Sequence, residues 1–175
     1  MADWHYYNED GDRVGPVTGR QLKKLAKVLK YLVSQGADVN AKDDNNETPL
    51  LFAVWHNPNE QSVKVELMKC LVSHGADVNA GNNWGATPLL FVADFSDVEA
   101  TKFLVSRNAN VNAKTWDGHT PLHGAAANNP NVEVVRYLFS VRGADINARN
   151  NDGRTPLDAA NTEEKRTIIR AAGGR

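Results

Sequence analysis

The chain has 175 residues, with 20 Lys and Arg against 21 Asp and Glu, a net charge of -1 and one cysteine. Balanced charge without a long single-sign run gives no electrostatic support to a nucleic-acid or membrane-surface role, and no apolar stretch approaches the roughly 18 residues that cross a bilayer. One thiol cannot form an internal disulfide, and Met1-Ala2-Asp3 opens into polar sequence without a signal-peptide pattern, so the expectation is a cytoplasmic monomer.

The first predicted element is a hairpin. Trp4-His5-Tyr6-Tyr7-Asn8 reads as an aromatic strand, Asp10-Gly11 as a hairpin turn, and Arg13-Val14-Gly15-Pro16-Val17 as the returning strand, with Pro16 confining it to an edge. Thr18 and Gln21 then form a Thr-x-x-Gln capping box, Val17 and Leu22 a hydrophobic staple, and Leu22, Leu25, Leu29 and Leu32 an apolar stripe at helical spacing. Arg20, Lys23, Lys24, Lys27 and Lys30 fall on the other side of this helix and read as its solvated face.

The remainder repeats itself. Thr-Pro-Leu begins at Thr48, Thr87, Thr120 and Thr155, with spacings of 39, 33 and 35. Between these lie Gly36-Ala37-Asp38-Val39-Asn40-Ala41, Gly75-Ala76-Asp77-Val78-Asn79-Ala80, Asn108-Ala109-Asn110-Val111-Asn112-Ala113 and Gly143-Ala144-Asp145-Ile146-Asn147-Ala148. A period in the thirties signals a stacked array in which each unit buries its apolar face on its neighbours. Each Gly, or Asn108, precedes the next Thr by 12 residues, so the turn segment is constant. Length varies in the helical half, and the six extra residues of the first repeat, Asn57 to Ser62, read as a loop between its helices.

Local chemistry explains the recurring residues. Thr caps a first helix with Pro at its first position, where the missing N–H costs nothing. Gly, or Asn108, supplies the left-handed residue that ends a second helix. Leu32, Leu71, Leu104 and Leu138 share a register in the second helices and form the predicted core column, which also makes Cys70 a core residue rather than a nucleophile.

These motifs resemble the ankyrin repeat over about Lys27 to Arg175. The resemblance implies an all-α repeat solenoid, a helix-turn-helix stack of about four repeats, that acts as a protein-interaction scaffold without enzymatic activity. The opening segment from Trp4 to about Ala26 resembles the first half of a bacterial GYF-like domain, with Trp-x-Tyr, a turn and Gly-Pro-Val-Thr before a Leu-rich helix. The second half of that domain is missing. Thr18 to Gly36 spans only 18 residues, where the repeats use at least 21, so one fused helix from Thr18 to about Ser34 is expected. The domain organisation is then a short β-hairpin cap over residues 1–17, lying on the end of an array over residues 18–175. The alternative implied by the second resemblance is a proline-rich-peptide adaptor using Trp4, Tyr6 and Tyr7.

No cofactor or metal set is visible. The five histidines do not cluster, and the position of His123 after Thr-Pro-Leu is occupied elsewhere by Leu51, Leu90 and Asp158. In the ankyrin pattern His123 would bond neighbouring turns. Arrays of that family bind through the concave face of turn tips and first helices, which here carries Trp84, Ala86, Trp116, Asp117, His119 and Arg154 on the tips and Trp55, His56, Asp94, Phe95 and Asn128 on the helices. The expected partner is an unidentified protein or peptide, with Trp84 and Trp116 exposed as anchors.

Overall fold

The computed structural model describes residues 6–7, 13–14, 27–28, 30–55, 61–95 and 98–175. The chain divides into two compact units, Met1–Ala37 and Asp38–Arg175.

In the first unit, strand β1 (Tyr6–Tyr7) pairs antiparallel with β2 (Arg13–Val14), Tyr6 opposite Val14 and Tyr7 opposite Arg13. Residues 27–28 and 30–34 are helical. Trp4, the Asp10-Gly11 turn and the proposed helix start at Thr18 lie outside the described residues, and with them the GYF-like features. The helix ends as its sequence predicts: Gly36 adopts φ 84°, its N–H reaches Val33 O at 3.0 Å, and Ala37 N–H reaches Leu32 O at 3.1 Å. This paired closure satisfies carbonyls that the last turn leaves open.

The second unit contains eight helices among the described residues, two per repeat. The first helices are α1 (Pro49–Trp55), α3 (Pro88–Phe95), α5 (Pro121–Ala127) and α7 (Pro156–Ala159). The second helices are α2 (Gln61–Ser73), α4 (Val98–Ser106), α6 (Val132–Ser140) and α8 (Glu163–Ala171). The first helices touch in the order α1–α3–α5–α7, and α4, α6 and α8 form the second row. Small side chains such as Ala93, Ala125 and Ala126 let the rows approach, and Leu122, Val134, Val135, Leu138 and Ile169 fill the space between them. Gln61 and Ser62, expected in the inserted loop, instead open α2.

Leu71, Leu104 and Leu138 are buried, as the core column requires. Leu32 departs from it. It keeps 47% of its surface and belongs to the Met1–Ala37 unit rather than to the array. The left-handed caps recur at Gly75 and at Asn108, whose φ is 65°. Four asparagines then stitch repeat to repeat. Asn40, Asn79 and Asn112 each donate Nδ2–H to the carbonyl of the next cap residue, Gly75, Asn108 or Gly143, at 2.7–3.1 Å. Each also accepts the N–H two residues later, from Asp77, Asn110 or Asp145, at 2.7–2.8 Å. Asn147 makes the same pair of bonds to Gly173 O and Arg175 N, with Gly173 in the position of the next cap residue.

Candidate partner-binding face

The turn tips are built by a short side chain with an acceptor oxygen, Asp, Asn or Thr, five positions before each repeat threonine. Asp43, Asn82, Thr115 and Asn150 donate their N–H to the carbonyl four residues on, and their side-chain oxygens accept the N–H of that residue: Glu47 at 2.8 Å, Ala86 and His119 at 3.0 Å, Arg154 at 2.9 Å. The chain can reverse there because the position two before the threonine is left-handed, with φ 59° at Asn46, 72° at Gly85, 83° at Gly118 and 76° at Gly153. Successive tips join through the backbone: Asn83 N–H to Asn45 O, Trp116 N–H to Trp84 O and Asn151 N–H to Asp117 O, each 2.9 Å. The result is a continuous rigid edge beside the first helices.

On this edge Trp84 keeps 43% of its surface and Trp116 76%, and on the neighbouring helix Phe95 keeps 57%. Trp84 and Trp116 are thus exposed as the sequence leads one to expect. Trp55 is placed differently. It is half-buried, stacked on Phe91 with ring centroids 5.1 Å apart, and meets the edge of Trp84 at 6.5 Å. Phe52, 46% exposed, belongs to the same stretch of α1. Ala86 is buried beneath its tip. His56 lies outside the described residues.

The polar candidates fall into two groups. His119 Nδ1 meets Asp117 Oδ2 at 2.9 Å, and its Nε2 meets Asn150 Nδ2 at 3.2 Å. The Asn150 oxygen is already taken by the Asp152 and Arg154 N–H groups, so Asn150 donates here and His119 accepts at Nε2. The Thr115 hydroxyl, donating to Asp117, holds that carboxyl below the usual range despite some desolvation, with His119 assisting. His123 is buried. Its Nδ1 accepts the Thr120 N–H at 3.3 Å and its Nε2–H donates to Arg154 O at 3.0 Å, so it links helix start to next tip as expected. Asp158 closes the Thr155 cap in the same way, taking the Thr155 N–H at 2.8 Å. Leu90 cannot do so for Thr87, whose Oγ1 has no partner among the described residues. Arg154 is exposed.

Asp94 and Asn128 meet across adjacent repeats, with Asn128 Nδ2 3.5 Å from Asp94 Oδ2. Asp94 Oδ1 sits over Gly124, 1.6 Å from where a Cβ would stand, so a larger residue there would turn the carboxylate away. Burial raises the Asp94 pKa from 3.8 to about 6, against smaller lowering effects from the Asn128 hydrogen bond and from His119. The raised value means that the protonated form is favoured by folding, a contribution fully present below 3.8 and lost as pH rises through about 6. Replacing Asp94 by Asn is therefore expected to raise stability by roughly 1–3 kcal/mol at pH 7–8 and to change it little near pH 4. Denaturant midpoints across pH check this; a variant less stable at pH 8 would contradict it. The difference between the two proteins isolates Asp94 from His123. Burial lowers the pKa of His123 from 6.5, and its contribution runs the other way, present above 6.5 and lost as pH falls through the folded value.

The family described as Ankyrin repeats (3 copies) matches the chain over residues 21–115, 61–150 and 92–171. The chain is an ankyrin-repeat protein. No curated protein matches it. Ankyrin repeats generally mediate protein–protein interaction, and the family is generally non-enzymatic. Among the described residues no three His, Cys, Asp or Glu side chains gather as metal ligands, and no helix is long and apolar enough to cross a membrane.

The ankyrin geometry also exposes two face residues that sequence reasoning missed, Phe52 and Phe91. Counted from the repeat threonine, the seventh residue of one repeat packs on the fourth of the next: Trp55 on Phe91, and Asp94 on Gly124. The signal was available in the fourth-position column, Phe52, Phe91, Gly124 and Ala159, which runs from bulky to small along the array.

Proposed function

We propose that this ankyrin protein is a non-enzymatic scaffold whose concave face, made by the tips and first helices, captures a protein or peptide segment. The observation that carries the reading is the exposure of Trp84, Phe95 and Trp116 on one rigid edge, with the two tryptophans joined through the Trp116 N–H···O=C Trp84 bond. Aromatic side chains on a pre-ordered surface are the usual hot spots of interfaces, because burying them releases much apolar surface at small conformational cost. Near-zero net charge favours a protein over a nucleic acid or membrane surface as the partner, and the working form is taken to be a cytoplasmic monomer.

Replacing Trp84 and Trp116 together by alanine tests the reading. Trp116 is largely in water and Trp84 keeps 43% of its surface, so the melting temperature is expected to stay within a few degrees of wild type, while affinity for a captured partner falls by more than about 1 kcal/mol per tryptophan. Ready unfolding of the double variant would make the tryptophans structural. Unchanged capture by a folded double variant would place the interaction elsewhere.

A further inference from the structure

We propose that the partner is read by a cationic side chain, an arginine or lysine, seated against Asp94 with an apolar neighbour packed on the adjoining aromatics. This inference rests on the reading of the face as a binding surface. Asp94 lies one helical turn beyond Phe91 on α3, so the carboxylate and the Trp55–Phe91 stack share one side of that helix, and exposed Phe95 follows directly. Aromatic faces beside a carboxylate are suited to a guanidinium or ammonium, which gains from both.

Within the described part of the fold the charge of Asp94 is met weakly, by the Asn128 amide and a small attraction from His119. Among the described residues its hydrogen bond is to the neutral Asn128 amide, at 3.5 Å, and no lysine or arginine forms an ion pair with it. Elsewhere several cations are matched locally. On the second helices Lys69 pairs with Glu66, Lys102 with Glu99, and Arg136 with Glu133, each three residues apart. Near the tips Lys114 Nζ donates to Arg149 O, and Arg149 donates to Gly153 O. Asp117 has Thr115 and His119. A half-buried carboxylate costs stability unless it is paired, and holding one at the surface of a binding face is rational if the partner supplies the cation. The upward displacement of the Asp94 pKa to about 6 by burial is the same deficit expressed as proton affinity.

The test is an NMR titration of the full chain with three end-blocked pentapeptides: Gly-Phe-Arg-Phe-Gly, and the same peptide with Gln or Glu at the centre. The Arg peptide is expected to bind about fivefold or more tightly than the Gln peptide, with the Glu peptide weakest. Asp94→Asn, a variant expected to be at least as stable as wild type at neutral pH, should abolish that preference and leave the Gln peptide unaffected. Glu133→Gln, on a second helix, should change neither. Equal affinity for Arg and Gln peptides, or a preference that survives Asp94→Asn, overturns the cation assignment. If equal binding still shifts the Trp84, Phe95 and Trp116 resonances, the face reading stands without it. Shifts confined to the second helices, or no shift with any peptide, remove the face reading as well.

Discussion

Leu104→Ala is expected to lower the stability of the array by about 2–5 kcal/mol, the range for emptying a fully buried leucine site. Leu104 has no exposed surface, and its carbonyl accepts the Ala109 N–H at 3.0 Å in the left-handed closure at Asn108. It lies in the second repeat, with a repeat on either side, so the vacancy weakens more than one unit. In an array stabilised by nearest-neighbour interfaces, a defect in the interior cannot be isolated at an end. Urea denaturation followed by circular dichroism measures it. A loss below about 1 kcal/mol would mean that the leucine column is not the core.

Gly118→Ala is expected to cost nearly as much, for a different reason. The position has φ 83°, and an added Cβ would stand 2.9 Å from Asn151 N and 3.0 Å from Asn150 Cα, backbone atoms of the next tip that have no rotamer to escape into. Left-handed strain contributes roughly 1–2 kcal/mol. Relieving the clash must also stretch the Asn151 N–H···O=C Asp117 bond that joins the tips. Gly153→Ala is the internal control, because φ is 76° but nothing lies within 4 Å of the added Cβ. It should show the backbone strain alone, roughly 1–2 kcal/mol. Equal losses at Gly118 and Gly153, measured by thermal unfolding, would mean that the tips are not in tight register.

Much of this architecture could be read from local rules. Thr before Pro starts a helix wherever it occurs, and Gly or Asn ends one by going left-handed, so Thr120 and Asn108 behave as their types dictate whatever surrounds them. The features that escaped sequence reasoning depend on what a neighbouring repeat places opposite. Trp55 looks like a free surface aromatic until Phe91, 36 residues on, is set beneath it. Asp94 looks like an ordinary surface acid until Gly124 admits its oxygen. Leu32 matches the Leu71 and Leu104 register, yet register alone does not decide which compact unit a residue joins. The exposure of Trp84, Phe95 and Trp116 was legible because turn tips and helix ends are solvated. Ala86 was not, because the position just before the helix cap is buried at Glu47 and Ala86 but exposed at Arg154, so its place in the repeat does not decide it.

The central claim is that one edge of the ankyrin array is the binding surface. Amide hydrogen exchange of the full chain, with and without its captured partner, tests it most directly. Slowed exchange is expected in residues 82–95 and 115–128, the tips and first helices that carry Trp84, Asp94, Phe95 and Trp116. Protection confined instead to α6 and α8, where Arg136, Phe139 and Ile168 line a shallow groove, would contradict the claim.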